Sequence, residues 1–206
     1  MKIRLNRRQP LKETVYVRDH KLRTLVGTSI FGVLSYLVML VEIPILPGFP
    51  FLKLDFSDLI VLCGLYLFGI SGAIGAALIR AFLHLIMTGF AAPSLLGELG
   101  SVSASITLIL VMAFFMKRQT RLWQRLGMIV CSTLALTLVM AVMNYFILTP
   151  LYVNVTGIKL GMDYLKYVLM AIIPFNLIKG ALITALFTLI YAKIGPWLLQ
   201  QRATRK

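Results

Sequence analysis

Apolar residues in this chain come in long, nearly unbroken runs rather than in the 3.6- or two-residue alternation of a half-buried helix or strand. A helix needs ~20 apolar residues to cross a bilayer. The runs predict six such helices, over 25–45, 58–68, 73–89, 96–116, 126–148 and 164–193. The first ends in IPILPGFPFLK, where Pro44, Pro47 and Pro50 break any helix. The second is short, which predicts a tilted or partly inset helix, and Gly69, Ser71 and Gly72 then predict a tight turn. FAAPSLLGEL reads as another turn, and TPLYVNVTGIKLGMD as a longer polar loop. Pro174 and Gly180 are expected to interrupt the last helix.

Composition supports the same class. Of 206 residues, 59% are hydrophobic and 14% charged, and mean hydropathy is +0.89. A soluble domain of this size would carry far more polar surface. The expected fold is an all-α integral membrane protein with about six transmembrane helices. Its divisions are a basic cytoplasmic segment at 1–24, a membrane domain at 25–195 and a basic tail at 196–206. The polar, basic N-terminal stretch followed by a span-length run does not read as a cleavable signal.

The net charge of +14 suggests nucleic acid until the charges are placed. Eight of the 21 basic residues fall in the first 23 positions. Lys117, Arg118, Arg121 and Arg125 share one loop, and Lys193, Arg202, Arg205 and Lys206 close the chain. With both ends inside, 16 basic residues are cytoplasmic. Only Lys53, Lys159 and Lys166 lie outside. This is the positive-inside pattern, predicting N-in/C-in topology and attraction to anionic lipid rather than nucleic acid. Cys63 and Cys131 lie in apolar runs with no second-cysteine or histidine spacing for a metal, so no metal site is expected.

Polar groups inside spans are functional candidates because burial in lipid makes them costly. Asn144 sits near the outer end of the fifth span, and Asn176 and Lys179 share one face of the sixth at i, i+3. Amides offer both donor and acceptor, which suits a neutral heterocycle or polyol. The competing structural reading pairs the two asparagines with each other and Lys179 with Glu98 or Asp58. Arg80 and His84 lie at i, i+4 on the third span, open to pairing with a carboxylate or to packing. Asp55 and Asp58 are placed at the outer mouth, where Ser57 or Asp58 also suits a helix N-cap. On the first span Thr24, Thr28 and Gly32 form a small-residue face, which suits either close packing within the protein or a partner subunit.

These segments resemble a known family. PILPGFPFLKLDFSDL, GLYLFG, LIRAFLHLIMTG, GELG, NYF and IIPFNLIKG are similar to the S components, the substrate-binding subunits, of energy-coupling factor (ECF) vitamin transporters, closest to the riboflavin-binding type. The resemblance covers roughly 25–195. It implies a vitamin-binding pocket open outward, covered by a lid between the first two helices. It also implies docking to a transmembrane T component and two cytoplasmic ATPases, in a multi-pass protein of the bacterial plasma membrane. Ligand contacts carry over to Asn144, Asn176 and Lys179. The lid and KLDFSD region maps to 46–58, which makes Leu54 and Asp55 candidates. Glu98 in GELG and His84 are further candidates. The family's small-residue docking pattern maps to Thr28 and Gly32. Leu59-Ile60-Val61 stands where riboflavin members carry a proline, and IRAFLH departs from an expected acidic residue and Lys-Asn pair. Riboflavin is the expected transported ligand, with pyridoxine or hydroxymethylpyrimidine as alternatives on the same scaffold. No cofactor is expected, and no catalytic group, because no nucleophile–base pair or phosphate loop occurs. The alternative of a different class is a stand-alone secondary transporter using Arg80, His84 and Lys179.

Overall fold

The computed structural model describes residues 10–49, 52–116, 122–157 and 161–203, with side chains for 21–49, 52–115, 123–157 and 161–193. Of the residues named or counted above, including six of the eight N-terminal basic residues, Lys2, Arg4, Arg7, Arg8, Pro50, Lys117, Arg118, Arg121, Lys159, Arg205 and Lys206 lie outside the described residues, and the side chains of Lys12, Arg18 and Arg202 are likewise not described. The elements in order are α1 (Pro10–Met39), β1 (Ile43–Pro44), β2 (Lys53–Leu54), α2 (Ser57–Thr88), α3 (Ala92–Met116), α4 (Leu122–Met143), α5 (Thr149–Thr156), α6 (Tyr164–Tyr167) and α7 (Ile173–Ala203). Wide π-turns join α4 to α5 (Asn144–Leu148) and α6 to α7 (Val168–Ile172). Among the described residues, five of the resulting rods are long and apolar enough to cross a membrane: Lys21–Met39, Ser57–Thr88, Ala92–Phe115, Trp123–Thr156 and Tyr164–Lys193.

One of the five folds back on itself. Gly69 in α2 has φ 78° and ψ −172°, a backbone region open essentially to glycine alone. A straight helix would separate Asp58 from Arg80 by ~33 Å. Their side chains instead meet at 2.9 Å. Hence 57–68 and 70–88 are antiparallel arms, the second and third helices of the sequence reading. The first arm is ~17 Å long against a hydrocarbon core of ~30 Å, so the helix alone does not span the core.

Helix α1 lies along both arms. A Cβ at Gly32 would come within 2.7 Å of the Ile79 side chain, and one at Gly75 within 2.9 Å of Thr28 Cγ2. Thr28 and Gly32 are both buried. Their small size lets α1 pack closely against the 70–88 arm inside the subunit, the first of the two uses expected of this face. Ser35 ties the far end of α1 to the first arm by donating to the Ser57 carbonyl at 2.9 Å.

Several boundaries also move. PSLLGEL, read as a turn, is the start of α3, and TPLYVNVT, read as loop, is the helix α5. Proline is tolerated in the first turn of a helix, where its missing N–H costs nothing. Pro174 does not break the last rod. A proline ring presses on the carbonyl four residues back, and the π-turn just before Pro174 opens the backbone there. The same arrangement precedes Pro150. Gly180 does not interrupt the rod either. It lets α7 approach α4 so closely that a Cβ would lie 3.0 Å from Thr133 Cα.

Candidate ligand-binding site

Two features share the same end of the α2–α3–α7 packing. The first is a buried charge cluster. Arg80, fully buried, donates through Nη1 to Asp58 Oδ1 at 2.9 Å and Ser57 Oγ at 2.7 Å, and through Nη2 to Ser101 Oγ at 2.9 Å and Ser105 Oγ at 2.8 Å. Ser105 in turn donates to Asp58 Oδ1 at 2.5 Å. Lys179 Nζ lies 3.0 Å from Asp58 Oδ2 and 3.5 Å from Asp55 Oδ2. Asp55 Oδ1 accepts from both the N–H and the hydroxyl of Ser57. The first N–H of α2 is thus met by the Asp55 side chain, with Phe56 at the N-cap position. Ser57 and Asp58, expected as cap residues, are turned into the charge cluster instead.

Two cations and two carboxylates are matched here. Removing charges from water costs several kcal/mol each unless they are paired and hydrogen-bonded. The serines complete the pairing: Ser101 and Ser105 lie one helical turn apart on α3 and face the guanidinium together.

The second feature is a cavity of about 470 Å³, within the range of small-molecule sites. Its walls come from α3, α4, α5 and α7, with Leu52 and Lys53 of the α1–α2 connection at its mouth. Where the π-turn runs into α7, the lining residues Ile172, Phe175, Asn176 and Lys179 repeat at i, i+3, i+4, i+7, a single face of the rod. On α3 Gly97, Gly100, Ser101 and Ala104 repeat at the same spacing. Their small side chains leave the room that the cavity occupies. Asn144, Met140, Leu148 and Thr149 come from the α4–α5 rod, and Tyr167 completes the apolar wall.

The structure brings Asn144, Asn176 and Lys179 onto this one cavity. The asparagines are not spent on each other. Each Nδ2 donates to its own helix, Asn144 to the Met140 carbonyl and Asn176 to the Ile172 carbonyl, both at 2.8 Å. Lys179 has the carboxylate partner expected of it in Asp58, with Asp55 as a second, yet remains on the cavity wall. Leu54, Asp55, Glu98 and His84 are outside the lining. Leu54 and Asp55 are buried beneath the mouth, and His84 Nδ1 pairs with Glu98 Oε1 at 2.7 Å, one turn beyond Arg80. Sequence reasoning missed Ser101 and Ser105, and took GELG for a turn where it forms part of the cavity's α3 wall. Their signal was present in GELGSVSAS, where small residues repeat at helical spacing.

The mouth is shaped by a short antiparallel ribbon in which Ile43 pairs with Leu54 and Pro44 with Lys53. Lys53 Nζ also meets Glu42 Oε2 at 2.6 Å. Beyond the ribbon, Phe49 packs on Tyr167 with ring centroids 5.8 Å apart.

Residues 23–191 match the family described as ECF transporter, substrate-specific component. The chain is similar to the riboflavin transporter FmnP of Bacillus subtilis, at 32% identity over 186 residues, covering 89% of this chain and 97% of that protein. It is similar to the riboflavin transporter RibU of Streptococcus thermophilus at 32% identity over 175 residues, covering 84% and 82%. Its fold matches a solved S component of a bacterial ECF transporter with a TM-score of 0.69 and 27% sequence identity, over 86% of this chain and 98% of that one.

Proposed function

This chain belongs to the family of ECF transporter substrate-specific components, and we propose that it captures riboflavin in the α3–α4–α7 cavity for uptake into the cell. It is a multi-pass membrane protein. The observation that carries the reading is a largely apolar cavity with Asn144, Asn176 and Lys179 on its wall. Lys179 is already balanced by Asp58 and Asp55, which favours an uncharged ligand. A flat heterocycle would lie against Phe175 and Tyr167. The amide oxygens would accept from its N–H and hydroxyl groups, and Lys179 would donate to a ring carbonyl or nitrogen. The relatives named riboflavin transporters favour riboflavin over the single-ring vitamins, which would leave more of the cavity unfilled.

The wider assembly follows from the family. The subunit would work with a T component and two ATPases that supply the energy. The charge asymmetry supports six passes with both termini in the cytoplasm, the short 57–68 arm being counted as one together with the connection that precedes it. The ribbon at the mouth would act as the lid.

The test is titration of the purified protein with riboflavin, read by quenching of flavin fluorescence, together with mass spectrometry of any co-purifying small molecule. Saturable binding of one flavin per chain is expected. A different vitamin that co-purifies and is not displaced by riboflavin would overturn the assignment. Uptake that persists in cells lacking the ATPase subunits would favour a stand-alone transporter.

A further inference from the structure

The two partners of Lys179 are held in different ways. Asp58 is fixed from three sides, by Arg80, Ser105 and Lys179. Asp55 is fixed by Ser57, two residues along the chain at the start of α2, and by Lys179 across the fold at 3.5 Å. Asp55 directly follows β2, whose Lys53 lines the cavity and joins Glu42 at the other edge of the ribbon. A continuous line of ionic contact and backbone therefore runs from the cavity wall, through Lys179 and Asp55, to the ribbon at the mouth. Asp55 itself is buried and does not line the cavity.

We propose that Asp55 is a positioning residue that latches the mouth ribbon to Lys179, so that one ammonium group holds both the ligand and the ribbon. An ammonium has three N–H donors. One is directed to Asp58, one to Asp55 and one is left for the cavity. Asp58 stays with Arg80 whatever Lys179 does. The Asp55 contact, long and anchored on a connecting segment, is the one that yields when the ribbon opens. Ligand that holds Lys179 in place then also holds the ribbon closed.

The decisive experiment needs no ligand. The full chain in lipid nanodiscs is read by amide hydrogen exchange over the α1–α2 connection. Asp55→Asn keeps an oxygen to cap Ser57 but removes the charge. It is expected to speed exchange of the connection by at least about fivefold, leaving α3 and α7 unchanged. Asp55→Glu, which keeps the charge and disturbs the cap, is expected to stay closer to the native rate than Asn. If Asp55 is only a cap, the order reverses, with Asn native-like and Glu fast, and the latch is overturned. Adding Asp55→Asn to Lys179→Met is expected to change exchange less than about twofold. An undiminished effect there would also overturn the latch.

A second arm rests on the riboflavin reading. Asp55→Asn is expected to raise the riboflavin dissociation rate about tenfold, and an unchanged rate would count against the latch. Failure of the native protein to bind riboflavin would sink the functional reading alone, with the ligand-free exchange still deciding the latch.

Discussion

Lys179 belongs to two neighbouring regions that treat polarity in opposite ways. On one side, Arg80, Asp58 and Asp55 form a cluster in which charge is dense, matched and sealed by serines. On the other, the cavity carries its polarity mainly on two amides that are tied back to their own helices. The cluster is poor at recognising anything, because both Nη groups of Arg80 and the carboxylates of Asp58 and Asp55 are already committed within it. The amides of the cavity do little to hold helices together, because each bonds only within its own helix. The contrast separates residues that set the architecture from residues that meet the ligand. It also shows why both need Lys179, which is fixed by the first region and presented to the second.

Breaking the cluster should have the largest effect. Arg80→Met leaves Asp58 with half of its compensation in a buried site and is expected to cost about 3–5 kcal/mol. The measurement is thermal unfolding in detergent, and a native-like melting curve would mean the cluster is not architectural. Gly69→Ala attacks the same cluster through the backbone. A side chain at that φ and ψ is expected to cost about 1–3 kcal/mol, seen as a lower unfolding temperature with the cavity chemistry unaltered. Asn176→Ala tests the other region. Loss of one ligand hydrogen bond is expected to weaken riboflavin binding by roughly 5–30-fold, or about 1–2 kcal/mol, with less effect on unfolding than either of the first two. Unchanged binding in both Asn176→Ala and Lys179→Ala would remove these residues from the site. Glu42→Gln should do least, under about 1 kcal/mol, since its pairing with Lys53 is solvent-exposed.

The helices were legible as apolar runs because lipid burial requires them to be apolar all round. The hinge was legible too, since glycines at 69 and 72 stand between two such runs. Helix ends were less so. Pro93 and Pro150 look like breakers in sequence, yet sit where a helix begins. Asn144, Asn176 and Lys179 stood out because an isolated polar residue in an apolar run is conspicuous. The pairing of Arg80 with Asp58 was not legible as a specific contact, because it depends on two arms folding about Gly69. Thr28 and Gly32 left two readings open for a related reason: small residues announce close approach but not the identity of the approaching helix. Here that helix is the 70–88 arm.

The Gly69 fold-back also works as a ruler. Asp58 and Arg80 each stand eleven residues from the hinge, close to three full helical turns, so both charges return to the same side at the same depth. One residue inserted into or deleted from either arm would swing its charge by about 100° and strand it among hydrocarbon side chains. Substitutions that keep the arms apolar should be tolerated at many positions between these charges, while a change in arm length should be tolerated at almost none.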